Sequence, residues 1–198
     1  MTTQTLTNTI IVLFGFPGTG KYTIGRELSE LTGAKLIHNH LINNPIFAVV
    51  DADGIKPLPA GIWSKVGQVR QVVYDSIREL SPAEASFIFT IHLTEAEPLD
   101  HDAFADLVQL AESRKSLFAP IRLLCDVDEL CRRIETPERA RMLKQLSAES
   151  ARKRSLEHTV LKPAHPNLHT IDVTRLSPRA SAEAVLAAID SMRSQFNV

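Results

Sequence analysis

The residues best suited to chemistry are three glycines and a lysine near the start of the chain. The segment Gly15-Phe-Pro-Gly-Thr-Gly-Lys-Tyr-Thr23 sets glycines at 15, 18 and 20 ahead of Lys21. Glycine reaches backbone angles closed to other residues, so successive N–H groups can turn into one concavity and hold an anion. Lys21 follows where a point charge reaches outer phosphates, and a helix expected from about Gly20 adds its positive end. That chemistry suits a nucleoside triphosphate, with Gly15, Pro17, Gly18, Thr19, Gly20, Lys21, Tyr22 and Thr23 as the binding residues.

A bare Gly-x-x-x-x-Gly-Lys arises by chance, and its setting is what gives it weight. The apolar run Thr9-Ile-Ile-Val-Leu-Phe14 precedes it, and Ile24, Leu28 and Leu31 follow at helical spacing. One position departs from the pattern. The residue after the lysine is ordinarily Ser or Thr, whose hydroxyl reaches Mg²⁺, whereas this chain has Tyr22 there and Thr23 one place later. Either Thr23 or water takes over that ligand position, or Tyr22 contacts something else, or metal use is altered.

Histidines supply the next candidates. His38 and His40 flank Asn39 after the second expected strand, and His92 ends the third, where no aspartate stands. A neutral imidazole accepts a proton near neutral pH, so His40 is a candidate base. A substrate anchor and a structural histidine are the competing readings. His92 would approach His38 and His40 if their strands are neighbours, which opens a metal site. Asp51 and Asp53 are alternative carboxylates, although Asp-x-Asp-Gly is first of all turn chemistry.

Arginines make a third group. Placed 100° apart per residue, Arg70 falls on the stripe of Ile62, Trp63, Val66, Val69, Val73, Ile77 and Leu80. It either snorkels or pairs with a carboxylate, or it points into a substrate cavity. From Arg132 to Arg154, eight cationic residues stand against three anionic ones, an excess of five. A solvated helix pair would explain that excess, and so would a surface that faces phosphate.

These residues need a scaffold. Strands are expected near 9–14, 34–38, 86–91, 119–125 and 167–173, and helices near 20–32, 61–80, 101–115, 126–135, 145–158 and 179–195. Strands separated by helices imply a mostly parallel sheet covered on both faces, with ligands beyond the carboxyl ends of the strands. Pro45 is expected to interrupt any helix that starts after His40, and 51–61 to form a loop in a flap over the substrate side.

At 198 residues with a net charge of −1, the chain suits one α/β domain and gives no reason to expect a nucleic-acid partner. The start Met-Thr-Thr-Gln-Thr-Leu-Thr-Asn lacks the basic and apolar regions of a secretory signal, and no stretch approaches a membrane span. Cys125 and Cys131 are therefore read as reduced core residues of a cytoplasmic protein.

The phosphate loop at Ile10 to Thr23, the motif His38-Asn-His40 and the basic stretch Arg132 to Arg154 together resemble the small P-loop kinases of the shikimate, gluconate and nucleoside monophosphate kinase group. The closing segment from Leu168 to Pro178 is similar to the one that borders adenine in that group. The resemblance implies a three-layer α/β P-loop NTPase fold over residues 1–198, with a five-stranded parallel sheet in the order 2-3-1-4-5. It implies a substrate-side flap at about 39–62 and an arginine-rich lid at about 132–156. By position, Lys21 would contact the β- and γ-phosphates, Arg133 the adenine, and Arg139 or Arg141 the transferring phosphoryl group. His38, Asn39, Arg70 and His92 would then meet the acceptor, Thr23 would be the one candidate metal ligand, and ATP with Mg²⁺ the expected cofactors.

The activity so implied is ATP-dependent phosphoryl transfer to a hydroxyl or similar group of a small molecule, by a monomer or homodimer with no membrane partner. The loop after the third strand, His92 to Pro98, offers acids and no arginine, which favours an acceptor with at most one anionic group over a nucleoside monophosphate. The competing class is a nucleotide-binding regulator or slow ATPase switch without an acceptor, suggested by Tyr22 and by the missing aspartate.

Overall fold

The computed structural model describes residues 5–50, 58–135 and 147–196. In chain order these form β1 (Thr9–Phe14), α1 (Lys21–Thr32), β2 (Lys35–His38), α2 (Asn39–Val49), α3 (Ile62–Leu80), β3 (Phe87–Ile91) and α4 (Pro98–Ser113). Then follow β4 (Leu117–Leu124), α5 (Val127–Ile134), α6 (Ala148–Glu157), β5 (His169–Asp172) and α7 (Pro178–Phe196).

The strands make one parallel sheet in the order β2-β3-β1-β4-β5. β1 lies at its centre, where Ile10 pairs with Phe87 on one side and Phe118 on the other. Every residue of β1 is buried, as a strand covered on both faces requires. Alternation along the strand feeds two cores. Ile11 and Leu13 pack with Ile24 and Leu28 of α1 and with Val185 and Ile189 of α7. Ile10, Val12 and Phe14 turn the other way, to Tyr74 and Ile77 of α3 and to Phe104 and Leu107 of α4.

This topology sets the site. From β1 the chain builds β2 and β3 on one side and crosses to β4 on the other, so a crevice opens at the carboxyl end of β1. Residues that follow β1, β3 and β4 converge there.

Three expectations need correction. Pro45 lies inside α2, which runs unbroken from Asn39 to Val49. Proline removes one hydrogen bond, but Ile42 and Asn43 are buried in the turn before it and hold the helix against the sheet. α4 starts at Pro98, ahead of the expected 101, because proline is well placed in a first helical turn. β4 starts at Leu117, two residues before the expected 119, where its backbone N–H donates to Asn8 O at 2.9 Å.

Both cysteines are free thiols, with Cys131 buried. Cys131 Sγ donates to Ala148 O at 3.3 Å and so ties α5 to α6. No helix among the described residues is long and apolar enough to cross a membrane. Arg139, Arg141, Asp51 and Asp53 lie outside the described residues.

Candidate active site

The phosphate loop joins β1 to α1 and is fixed from below. Gly18 has φ 97°, a left-handed conformation, and a Cβ there would stand 3.1 Å from Leu130 Cδ2 and 3.2 Å from Ile134 Cγ1 of α5. At Gly15 a Cβ would lie 2.5 Å from Leu123 O of β4. A side chain at Gly15 would collide with backbone, and one at Gly18 would be both strained and pressed against α5. Thr19, 1 % exposed, braces the loop from inside, its N–H and hydroxyl both donating to Phe16 O at 3.3 and 2.9 Å. Gly20, also left-handed, opens α1, and Lys21 Nζ donates to Gly15 O at 2.7 Å and Phe16 O at 2.8 Å. The lysine thus keeps its charge over the loop. Backbone N–H groups at a helix start beside an ammonium suit the phosphates of a nucleotide.

The metal position is a poorer match. Thr23 is exposed and its hydroxyl donates to Gly20 O at 2.8 Å, so it serves the helix start. Tyr22 turns its ring edge to His38, with centroids 5.1 Å apart. Among the described residues no group of three His, Cys, Asp or Glu is placed to hold a metal ion. These side chains do not make a Mg²⁺ site of the usual kind, and Thr23 would have to give up its bond to Gly20 to serve as a ligand.

β2 and β3 are neighbours, with His38 in register with Thr90. Yet the histidines part company. His38 leans on Tyr22, with the His40 centroid 6.2 Å away, whereas the His92 ring tilts against Phe16 of the phosphate loop at 5.8 Å. The metal site that adjacency suggested does not form among the described residues. His40 Nδ1 lies 3.3 Å from Asn44 Oδ1, one turn along α2, and the Asn39 N–H donates to Thr90 Oγ1 at 3.3 Å.

His92 occupies a distinctive place. Its Nε2 is closed to solvent and has no hydrogen-bond partner among the described residues. Burial holds the imidazole far below its ordinary range, to about 3, and the charges of Lys21, Arg154 and His158 act in the same direction. The start of α1 and the end of α6 thus both act on this ring. The segment after α6 comes back to β3, as Glu95 N donates to Thr159 O and Leu161 N to Leu93 O, at 3.0 and 3.1 Å. Arg122 Nη2 of β4 holds Val160 O at 3.0 Å. Asp100 secures the turn beyond, its Oδ2 accepting from Thr94 N at 2.7 Å and Thr94 Oγ1 at 2.9 Å.

Arg70 lies on α3 with its charge acting on the Tyr74 phenol and on Asp100. Burial raises the Asp100 carboxyl, against the hydrogen bonds from Thr94 and the charge of Arg70. Arg70 forms no ion pair with another described residue.

Arg133 sits on the other flank of the loop. Glu129 Oε1 accepts from its Nε at 2.6 Å, while its Nη2 donates to Val173 O and Thr174 O at 2.9 and 3.2 Å. A Cβ on Gly20 would be 3.9 Å from its Nη1. The guanidinium thus bridges the loop and the turn after β5. Hydrogen bonds from Arg132 and Arg133 hold the Glu129 carboxyl down near about 2.

Sequence reasoning named neither Arg154 individually nor His158 for this site. The excess positive charge of 132–154 was the only hint of the first. Nothing local marks the second, because its place depends on the chain's return to β3.

No protein-family model and no curated protein matches the chain. Solved structures do. A gluconokinase from Sinorhizobium meliloti superposes with a TM-score of 0.65 at 16% identity, covering 98% of each chain. A shikimate kinase from Acinetobacter baumannii, in complex with shikimate, gives 0.51 at 20% identity over 95% of each chain. An APS kinase from Mycobacterium tuberculosis, in complex with AMPPNP and APS, gives 0.57 at 11% identity over 93% of this chain and 99% of that one. The five-stranded parallel sheet in the order 2-3-1-4-5, the loop after β1 and these superpositions give the chain the fold of the small P-loop kinases of the shikimate and gluconate kinase-like group.

Proposed function

We propose that this protein transfers the terminal phosphoryl group of ATP to a hydroxyl or similar group of a small molecule. The observation that carries the reading is the phosphate loop itself: left-handed Gly18 and Gly20 after the central strand, with Lys21 Nζ held by Gly15 O and Phe16 O, in a parallel sheet of order 2-3-1-4-5.

In this reading Gly15, Pro17, Gly18, Thr19, Gly20, Lys21, Tyr22 and Thr23 seat the phosphates, and Arg133 lies against the adenine. Phosphoryl transfer has a loose transition state with charge spread over three oxygens, so positive charge and positioning carry most of the catalysis. Lys21 supplies that charge, with Arg139 and Arg141 as further candidates from the lid. Acceptor contacts fall to His38, Asn39, His40, Arg70 and His92. An arginine on α3 suits an acceptor with one anionic group at most. Magnesium, when present, would travel on the phosphates and screen their charge, with water in place of the side-chain ligands that Tyr22 displaces.

The second reading, a nucleotide-binding regulator or slow ATPase, is favoured by one observation: Thr23 bonds the loop and Tyr22 faces His38, which leaves the metal position without its usual hydroxyl. One experiment separates the two. ATP and Mg²⁺ are incubated with sugars, polyols, nucleosides, nucleoside monophosphates, antibiotics and shikimate-like acids, and products are followed by ADP release and phosphorus NMR. A new phosphate ester that depends on one acceptor supports the kinase; ATP binding with slow hydrolysis unaffected by any acceptor supports the switch.

A further inference from the structure

We propose that Trp63 and Phe47 form an aromatic wall of the acceptor site, and that the acceptor is a hydroxyl compound carrying a planar ring, with Arg70 deeper in the site for one anionic group. The inference rests on the phosphotransfer reading above and names the class of acceptor. It starts from the register of α3. At 100° per residue, Trp63, Arg70, Tyr74 and Ile77 fall within about 60° of one another, on one stripe of the helix. Tyr74 and Ile77 are buried, and the Tyr74 ring meets Phe89 of β3 edge to face with centroids 5.6 Å apart. This stripe therefore faces the sheet.

Sheet and helix do not end together. The chain passes from the end of α3 directly into β3, so the helix runs against the strand and its first residues lie at the carboxyl end of the sheet. From Phe89, β3 continues only two residues, about 7 Å, to Ile91. From Tyr74, the helix reaches back four residues, about 6 Å, to Arg70 and eleven, about 16 Å, to Trp63. Arg70 is thus level with the end of β3, and Trp63 overhangs it by about 10 Å. The stripe that covers the sheet continues as a wall of the crevice beyond it.

What this wall presents suits a ring. Trp63 is 49% exposed, and the Phe47 ring of α2 meets it at 69° with centroids 5.9 Å apart. Leu41 and Val49 of α2 are exposed as well, whereas Ile42, Ile62 and Val66 are buried and anchor the two helices. An aromatic pair on such a support offers a fixed π-surface, on which a planar ring packs well. Arg70, partly exposed, is the cation of the same stripe. Seven residues of helix, about 10 Å, separate it from Trp63, so an acceptor that reaches both is longer than a simple sugar acid.

Trp63 is the only tryptophan of the chain, so its emission reports on this wall. The full chain, with its nucleotide site filled by the non-hydrolysable β,γ-imido analogue of ATP, is titrated with uridine and phenyl glucoside, and with ribose and glucose as counterparts that lack the planar ring. Uridine or phenyl glucoside should change the emission saturably, and ribose and glucose should not. Calorimetry should show binding of the responding compound weakened at least about fivefold in Trp63→Ala and in Phe47→Ala, the lower end of what a stacked ring contributes, with Trp63→Phe restoring most of the loss. Two alanine variants on different helices guard against a folding defect in either. No saturable change with either ring compound, equal affinity for the counterpart, or wild-type binding in both alanine variants overturns the inference and leaves the phosphotransfer reading standing. Emission that follows protein concentration instead makes this face a contact between copies and likewise overturns it. Failure of the imido analogue to bind overturns the phosphotransfer reading itself.

Discussion

The ring of Tyr22 meets the ring of His38 edge to face, with planes at 87° and centroids 5.1 Å apart. The position that ordinarily offers a hydroxyl to the metal is thereby turned toward the carboxyl end of β2. Tyr22→Ser should restore a short hydroxyl beside the phosphates. The expected outcome is a lower Mg²⁺ requirement for turnover with nucleotide affinity little changed, as read from Mg²⁺ titrations and nucleotide binding. An unaltered requirement would mean that Tyr22 does not govern metal use.

Lys21 Nζ donates to both Gly15 O and Phe16 O of the phosphate loop. Lys21→Ala should reduce phosphoryl transfer by at least about 100-fold, in line with the loss of a preorganised charge on the transition state. Stability should be almost unchanged, because the residue is only partly buried. Full activity in this variant would sink the assignment of the loop.

Gly18→Ala tests the loop as a structure. The alanine would have to keep a left-handed conformation while its Cβ presses on Leu130 and Ile134. The conformational cost alone is about 1–2 kcal/mol, so urea unfolding should show at least that loss. Nucleotide affinity should fall with it, since a shifted loop misaligns its N–H groups.

Glu129 gives a pH signature. Its carboxyl, held down by Arg132 and Arg133, has a folded value near about 2, below that of an unfolded glutamate. Its contribution is therefore complete above the unfolded value of about 4.3 and disappears as the pH falls through the folded one. Glu129→Gln should destabilise the protein at neutral pH, and the gap to wild type should narrow steadily as the pH drops below that unfolded value. Thermal unfolding at a series of pH values reads this directly; a gap independent of pH would contradict the ion-pair account.

The phosphate loop was legible because its requirements are local: strand, glycines, lysine and helix follow one another within Thr9–Thr32. β1 and β3 were legible for the same reason, as continuous apolar runs bounded by polar residues. α2 was not, because Pro45 argued against a helix whose support comes from burial of Ile42 and Asn43. The sheet order came from resemblance, since spacing alone does not say on which side of β1 a strand pairs. The surroundings of His92 were not legible in its sequence neighbours. Only the fold places Phe16 on its ring and lets Arg154 and His158, at the end of α6, act on it.

α5 and α6 are fastened to each other by the Cys131 thiol on Ala148 O and by the Arg152–Asp128 ion pair, and the chain after α6 is stitched to β3. A substitution that shifts α6 is therefore handed on to α5, whose Leu130 and Ile134 stand where a Cβ on Gly18 would press. The helix pair is in effect a mechanical connection to the floor of the phosphate loop, so changes far from the loop can alter its shape without touching it.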